Sequence, residues 1–308
     1  MTAAEAAGPS GLVIVDKPAG WTSHDVVGRM RRLAATKKVG HAGTLDPMAT
    51  GVLVLGINRA TRLLGYLTHA DKEYVATIRL GQSTVTDDAE GEVTSTTSAA
   101  HVDEAAVRAV LPAYIGDIQQ VPSSVSAIKV DGVRSYAKVR AGQEVELKAR
   151  PVTVSAFDLV PQSLRSLTVA ALPGNRETDV VDVDVRVVCS SGTYIRALAR
   201  DIGDDLGVGG HLTMLRRTRV GGFPLRLART LDELENELHV IDLDDVARAS
   251  FDSYDLPERE AQDVRFGRAL TGIDLGAPRA VAMFDPEGHF LALYEQRGGV
   301  AKPVAVFV

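Results

Sequence analysis

The alternation of apolar and polar positions divides the chain into interleaved strands and helices. Gly11-Leu-Val-Ile-Val-Asp16 is an apolar run of strand length, and the turn Lys17-Pro-Ala-Gly-Trp-Thr-Ser23 leads into a helix from Ser23 to about Leu33, capped by Ser23 or Thr22. Gly51 to Gly56 reads as a short buried strand, and Asn58 as the cap of a helix from Arg59 to about Leu67. In Tyr74-Val-Ala-Thr-Ile-Arg-Leu80 a period of two puts Tyr74, Ala76, Ile78 and Leu80 on one face. His101 to Ile115 has helical spacing. Val181 to Val188 alternates valine with charge, the mark of a half-buried antiparallel strand, and Ser190-Ser-Gly-Thr193 turns into a helix from Tyr194 to Leu206. Strands and helices interleave without a regular βαβ repeat, so a mixed α+β sheet is expected rather than a doubly wound parallel one. Two short helices fit the segment after Leu231. From Asp255-Leu-Pro257 onward short apolar runs separated by glycines predict a small β-barrel or sandwich, too short for an independent enzyme.

Composition narrows the function classes. One cysteine, Cys189, rules out an intramolecular disulfide framework and supplies too few thiols for a structural zinc site, which points to a reducing, cytoplasmic setting. No apolar run approaches the roughly 20 residues of a membrane span. Residues 1–10 carry no signal-peptide pattern and are expected to be a disordered leader. The net charge of −6 argues against a nucleic-acid partner until its distribution is considered. Between Leu231 and Asp263 twelve acidic residues face two arginines, so the rest of the chain is net positive. Two windows are purely basic: Arg29, Arg31, Arg32, Lys37 and Lys38 in the first, and Arg216, Arg217, Arg219, Arg226 and Arg229 in the second. They are either a phosphate-binding surface or ordinary solvated faces.

The candidate chemistry is concentrated in Gly40-His41-Ala42-Gly43-Thr44-Leu45-Asp46-Pro47, a glycine-hinged loop between two apolar segments. Asp46 admits two readings. Followed by proline it is a standard helix N-cap; as a carboxylate held in a desolvated site it is a nucleophile or base, and then needs a cation such as Arg196 to offset burial. Arg196 could equally be a surface arginine. His24, His41 and His69 lack metal-ligand spacing, so no metal site is expected. Tyr74 is a core aromatic unless a nucleobase stacks on it. No nucleophile elbow, P-loop or dinucleotide fingerprint is present.

Five stretches then carry a resemblance. Lys17-Pro-Ala-Gly-Trp-Thr-Ser-His-Asp25, Val39-Gly-His-Ala-Gly-Thr-Leu-Asp-Pro-Met-Ala-Thr-Gly-Val-Leu-Val-Leu-Gly56, Asp71-Lys-Glu-Tyr74, Ser191-Gly-Thr-Tyr-Ile-Arg196 and His211-Leu-Thr-Met-Leu-Arg-Arg217 follow in the order seen in bacterial tRNA pseudouridine synthases of the TruB type. The match runs over roughly residues 11 to 225. It implies a mainly antiparallel sheet of the pseudouridine synthase type with flanking helices over 11–254, including an acidic helical linker at 231–254. It also implies a reduced PUA-type RNA-binding module at 255–308.

The implied reaction is conversion of uridine 55 in the T-loop of elongator tRNAs to pseudouridine, without a cofactor, by a protein that acts as a monomer. Asp46 would be the catalytic aspartate, with Arg196 pairing to it and Tyr74 stacking on the uracil and helping to deprotonate C5. Tyr194 and Leu215 would wall the base pocket, His41 would fill the space the base leaves, and Lys17 would line the site and shape the loop. Arg29, Arg31, Arg32, Lys37, Lys38, Arg216 and Arg217 would bind phosphates. The family's Pro-Pro-x-Tyr-Ser-Ala is here Pro122-Ser-Ser-Val-Ser-Ala127, inside a basic excursion near 119–150 that includes Lys129, Arg134, Lys138 and Arg140 and is expected to be mobile without RNA. Two alternatives are an RNA-binding, tRNA-folding protein whose modification is secondary, and a guide-dependent synthase.

Overall fold

A computed structural model describes residues 8–123, 147–172 and 177–308, with the backbone alone of 129–130 and 133–134. In chain order the first strands are β1 (Gly11–Lys17), β2 (Val39–Ala42), β3 (Thr50–Ile57), β4 (Lys72–Leu80), β5 (Gln82–Thr84), β6 (Val93–Thr96) and β7 (Gly116–Gln120). The chain continues through β8 (Lys129–Val130), β9 (Val133–Arg134), β10 (Arg150–Leu159), β11 (Arg165–Ala170), β12 (Glu177–Cys189), β13 (Gly210–Val220), β14 (Phe223–Pro224) and β15 (Ile241–Asp242). The helices are α1 (Ser23–Leu33), α2 (Leu64–Leu67), α3 (Glu104–Val110), α4 (Ile195–Asp205), α5 (Leu231–Asn236), α6 (Leu243–Ser250) and α7 (Glu258–Arg265).

Among the described residues the main sheet has eleven strands, ordered β15-β1-β3-β13-β4-β12-β10-β7, with β2 on β3, β14 on β13 and β11 on β12. Its pairings are antiparallel except β3 with β13. The mixed α+β class follows, and so does the reason for the long apolar runs at its centre. Strands β1 and β3 are covered on both faces. Val13, Val15, Leu53 and Leu55 join Tyr74, Ala76 and Ile78 in a core capped by Val26 and Met30 of α1 and Leu198 of α4. Leu12, Ile14, Val52 and Val54 face the other way, against Val246 of α6 and the aromatic residues of the C-terminal sheet. At β12 the second face is solvated, and there the valine–charge alternation is clean.

The C-terminal sheet is five-stranded, β16 (Asp252–Asp255), β17 (Leu270–Thr271), β18 (Val281–Phe284), β19 (Phe290–Arg297) and β20 (Val300–Val306), in the order β16-β18-β19-β20-β17. It begins at Asp252 rather than Asp255, because β16 pairs in parallel with β18. The acidic segment before it is no loose linker. Leu231 and Leu234 pack into one core, Leu243 and Val246 into the other, and β15 adds to the edge of β1.

Three expectations fail locally. Asn58 has φ +52° and caps no helix. A 3-10 turn over Asn58–Arg62 precedes the single helical turn α2, and the Asn58 side chain instead bonds Thr36 and the Pro9 carbonyl, each at 2.8 Å. The helix expected from His101 starts at Glu104, where Asp103 caps it, and tightens to a 3-10 turn at Pro112, which has no amide hydrogen to continue the ladder. The helix-cap reading of Asp46 also fails, since no helix follows it: the Ala49 amide closes a turn onto the Asp46 carbonyl at 3.1 Å. The expected leader lies mostly outside the described residues. So do Lys138, Arg140 and most of the 119–150 excursion, including Ser124 and Val125 of the departure from the family motif.

Candidate active site

The first part of the glycine-hinged segment is strand β2, and the free loop runs only from Gly43 to Ala49. Gly43 sits at φ +76°, a conformation other residues rarely adopt, and turns the chain off the strand. The backbone oxygens of Gly43 to Pro47 are all held. Arg217 donates to the carbonyls of Gly43 (3.0 Å) and Thr44 (3.4 Å). Ser23 Oγ accepts from Leu45 N at 2.9 Å and donates to Leu45 O at 3.2 Å. Pro47 O takes both the Gly20 amide and Lys17 Nζ. Such over-determination fixes the side chain between these anchors, that of Asp46.

Asp46 opens into a cavity of about 260 Å³ lined by Lys72, Tyr74, Tyr194, Arg196, Leu215 and Arg217 among others. That volume is just below the roughly 300–1,000 Å³ of ordinary small-molecule sites. Arg196, nearly buried, reaches the Asp46 carboxylate through Nε at 3.0 Å. Its Nη1 donates to Thr86 O at 2.8 Å and lies 3.3 Å from Asp88 Oδ2. One guanidinium therefore bridges the half-exposed carboxylate of the loop and a buried one behind it, and two other donors, Thr86 Oγ1 and Glu90 N, satisfy Asp88. Burial pushes the Tyr74 phenol above its ordinary value, so at neutral pH it is a neutral hydroxyl on an aromatic face.

Strand and helix geometry explain who faces the cavity. Tyr74 projects from β4, while Leu215 and Arg217 alternate on the pocket side of β13. Tyr194 is the N-cap residue of α4 and Arg196 lies in its first turn. Two expected contacts are corrected by burial. Lys17 is 0% exposed and donates to the carbonyls of Pro18, Trp21 and Pro47 at 2.7–3.1 Å, so its ammonium is committed to shaping the loop. Burial lowers its ammonium to about 8. Arg217 is 1% exposed and its guanidinium is occupied by loop carbonyls and Val52 O, which removes it from any phosphate surface. Arg216, on the opposite side of the strand, is half-buried against Asp16 at 2.6 Å, and Arg29 pairs with Glu235. Arg31, Arg32, Lys37 and Lys38 are exposed. His41 lies outside the cavity, opposite Leu55 on β2 and edge-on to His24 at 5.8 Å, with its pKa lowered by burial.

Several residues that matter here had no distinguishing signal in the sequence. Asp88 sits in Thr84-Val-Thr-Asp-Asp88-Ala-Glu-Gly91, which reads as a polar turn. Gln120, almost fully buried, accepts from Tyr194 N at 2.8 Å and donates to Tyr194 O at 3.0 Å, pinning the start of α4 two residues before Arg196. In the sequence Lys72 stands out only as part of the Asp71-Lys-Glu-Tyr74 motif. It lines the cavity, donates to Thr68 O and Ala70 O, and burial lowers it to about 8. Among the described residues no cluster of three His, Cys, Asp or Glu side chains could hold a metal ion, and no helix is long and apolar enough to cross a membrane.

Comparison with known proteins fits this geometry. Residues 31–195 match the TruB family pseudouridylate synthase (N terminal domain), 196–253 the tRNA pseudouridylate synthase B C-terminal domain, and 251–308 the tRNA Pseudouridine synthase II, C terminal domain. "tRNA pseudouridine synthase B" of Arthrobacter sp. (strain FB24) is 60% identical over 305 residues, covering 97% of this chain and 96% of that protein. The protein of the same name from Streptomyces griseus is 56% identical over 301 residues, covering 97% of each. A solved chain in the "Crystal Structure of a Cbf5-Nop10-Gar1 Complex" superposes with a TM-score of 0.70 at 26% identity, covering 97% of this chain and 85% of that one. The chain belongs to the TruB family of pseudouridylate synthases.

Proposed function

We propose that this protein isomerises a single tRNA uridine, that at position 55 of the T-loop, to pseudouridine, with Asp46 as the essential group. The reaction breaks N1–C1′, turns the uracil and forms C5–C1′, after which C5 gives up its proton and N1 takes one up, so substrate and product have the same composition and no redox or group-donating cofactor is needed. The observation that carries this reading is the Asp46–Arg196–Asp88 cluster set beside Tyr74 in a cavity of about 260 Å³. A flipped uracil stacks on Tyr74 between Leu215 and Tyr194, which brings C1′ and C6 to the Asp46 carboxylate. Attack at C1′, attack at C6 and removal of the 2′ proton are all open to that carboxylate. Arg196 offsets its charge where water is excluded. His41, outside the cavity, fills the gap in the RNA stack and offsets part of the few kcal/mol that flipping costs.

The exposed residues Arg31, Arg32, Lys37 and Lys38, together with the C-terminal module as a PUA-like surface, contact the RNA backbone. The protein acts in the cytoplasm as a monomer, without a guide RNA or protein partner. The relatives at 56–60% identity carry the tRNA name, which favours this over the guide-dependent alternative. Assay of the purified chain on a naked T-arm stem-loop tests the reading. Wild type forms pseudouridine and Asp46→Asn does not, while RNA affinity stays within a few-fold. Turnover by Asp46→Asn sinks it, and so does a need for an added partner.

A further inference from the structure

Arg29 and Arg216 come from different basic windows, yet they line one groove of about 700 Å³ beside the catalytic loop, with Trp21, Thr50 and Thr230. Trp21 is the single tryptophan of the chain. Its backbone is fixed, since Lys17 Nζ holds its carbonyl at 2.7 Å and the neighbouring Gly20 amide bonds Pro47 O of the catalytic loop. Its side chain is open, with 37% of the residue exposed. A rigid backbone under a wetted indole is what a stacking platform requires.

Both arginines are already occupied by carboxylates of the same chain. Arg216 pairs with Asp16 at 2.6 Å and Arg29 with Glu235, at the end of the groove where Asp232 also lies. The four paired side chains are between 24% and 37% exposed, so both pairs are screened by solvent and individually weak. They hold the guanidiniums extended and can be exchanged for another oxyanion.

On the reading that the substrate is tRNA, we infer that this groove is a second RNA subsite, in which an unpaired base near the flipped uridine stacks on Trp21 and its phosphates displace Glu235 and Asp16 from Arg29 and Arg216. The acidic helix α5 then acts as an internal competitor. Without RNA the groove's three carboxylates balance two guanidiniums and the buried Lys17, so it offers stray polyanions no net attraction. RNA anchored by its flipped base has a high effective concentration at the groove and completes the exchange. The acidity of the linker thereby serves discrimination between substrate and other RNA.

The lone tryptophan makes the test direct. A T-arm stem-loop labelled at its 3′ end is titrated into the full chain carrying Asp46→Asn, with label anisotropy reporting binding and Trp21 emission reporting the groove. The expected result is quenching of Trp21 in step with anisotropy. Glu235→Gln, in an otherwise wild-type chain, tightens binding of a plain RNA duplex roughly 3–10-fold and steepens its salt dependence, while T-arm affinity moves less than about threefold. Arg29→Gln weakens T-arm binding about fivefold. Saturating anisotropy with no change in Trp21 emission overturns the subsite. Unchanged or weakened duplex binding by Glu235→Gln overturns the competitor role. If the label shows no binding at all, the tRNA reading itself fails and the inference goes with it.

Discussion

The pocket beside Asp46 buries a network of charged groups, where the C-terminal sheet buries mainly apolar ones. Around the loop the buried side chains include Lys17, Lys72, Asp88, Arg196 and Arg217; in the small sheet and its interface they are mainly apolar, Phe284, Phe290, Leu293, Tyr294 and Phe307 among them, with Asp285 paired to Arg265 the charged exception. A buried charge needs a partner in one direction at one distance, so a network of them transmits geometry while adding little net stability. Apolar burial is non-directional and supplies cohesion. Damage to the first region is therefore expected in turnover, with a stability cost where a buried charge or polar group loses its partner, and damage to the second in stability and docking alone.

The largest effect separates chemistry from binding. Asp46→Asn is expected to lower the single-turnover rate on a T-arm stem-loop by at least about 10³-fold, with the unfolding midpoint in urea unchanged. Next, Arg196→Met leaves Asp88 buried without its cation and is expected to destabilise the fold by about 3–5 kcal/mol as well as abolishing turnover. Adding Asp88→Asn should restore much of that stability and none of the activity. Recovery of both in urea unfolding and turnover assays would break the contrast.

In the other region, Phe307 is 2% exposed with its ring 4.9 Å from that of Phe290, and Phe307→Ala is expected to cost about 3 kcal/mol by urea unfolding. The kcat of the folded fraction should stay within about threefold, since no charged anchor is touched. A smaller effect tests the loop anchors. Ser23→Ala removes both bonds to Leu45 and is expected to cost about 1–2 kcal/mol, lowering kcat about tenfold with KM little changed.

The smallest effect is one of pH. Lys17 is lowered by burial to about 8 from an ordinary 10.5, so on unfolding in that window the chain takes up a proton. Its contribution is fully present above pH 10.5 and is lost as pH falls through 8. Between pH 7.5 and 9.5 the urea midpoint of wild type should therefore rise relative to that of Lys17→Met. A difference independent of pH would mean that the ammonium is not desolvated by its three carbonyl partners.

Legibility in the sequence followed the range of the interaction. The helix Ser23–Leu33 was readable to its last residue because its cap and amphipathic spacing are local, and the capping box of Thr22 with Asp25 completes it. The strand bearing Tyr74 was readable because period-two patterning survives wherever one face is buried. Of the helix expected after Asn58 only the single turn α2 formed. Its apolar residues point onto β3 through a 3-10 turn, and Gly56 lets the Ala60 carbonyl approach where a side chain would stand at 2.9 Å. Motif resemblance supplied Asp46 and Arg196 as partners, but no local pattern distinguished Asp88 or Gln120 from ordinary loop and strand polars.

What the sequence determined by itself was the α+β class, the main strands, the loop carrying Asp46 and the two basic windows, because these follow from propensity, periodicity and spacing within short stretches. Only the tertiary structure decided which basic residues face solvent. Arg216 and Arg217 are neighbours in one strand, and the pleat sends one toward Asp16 at the groove and the other into the pocket wall beneath Gly43. It also decided that Asp46 begins no helix and meets Arg196 at 3.0 Å, because those residues are brought together by a sheet that no local rule encodes.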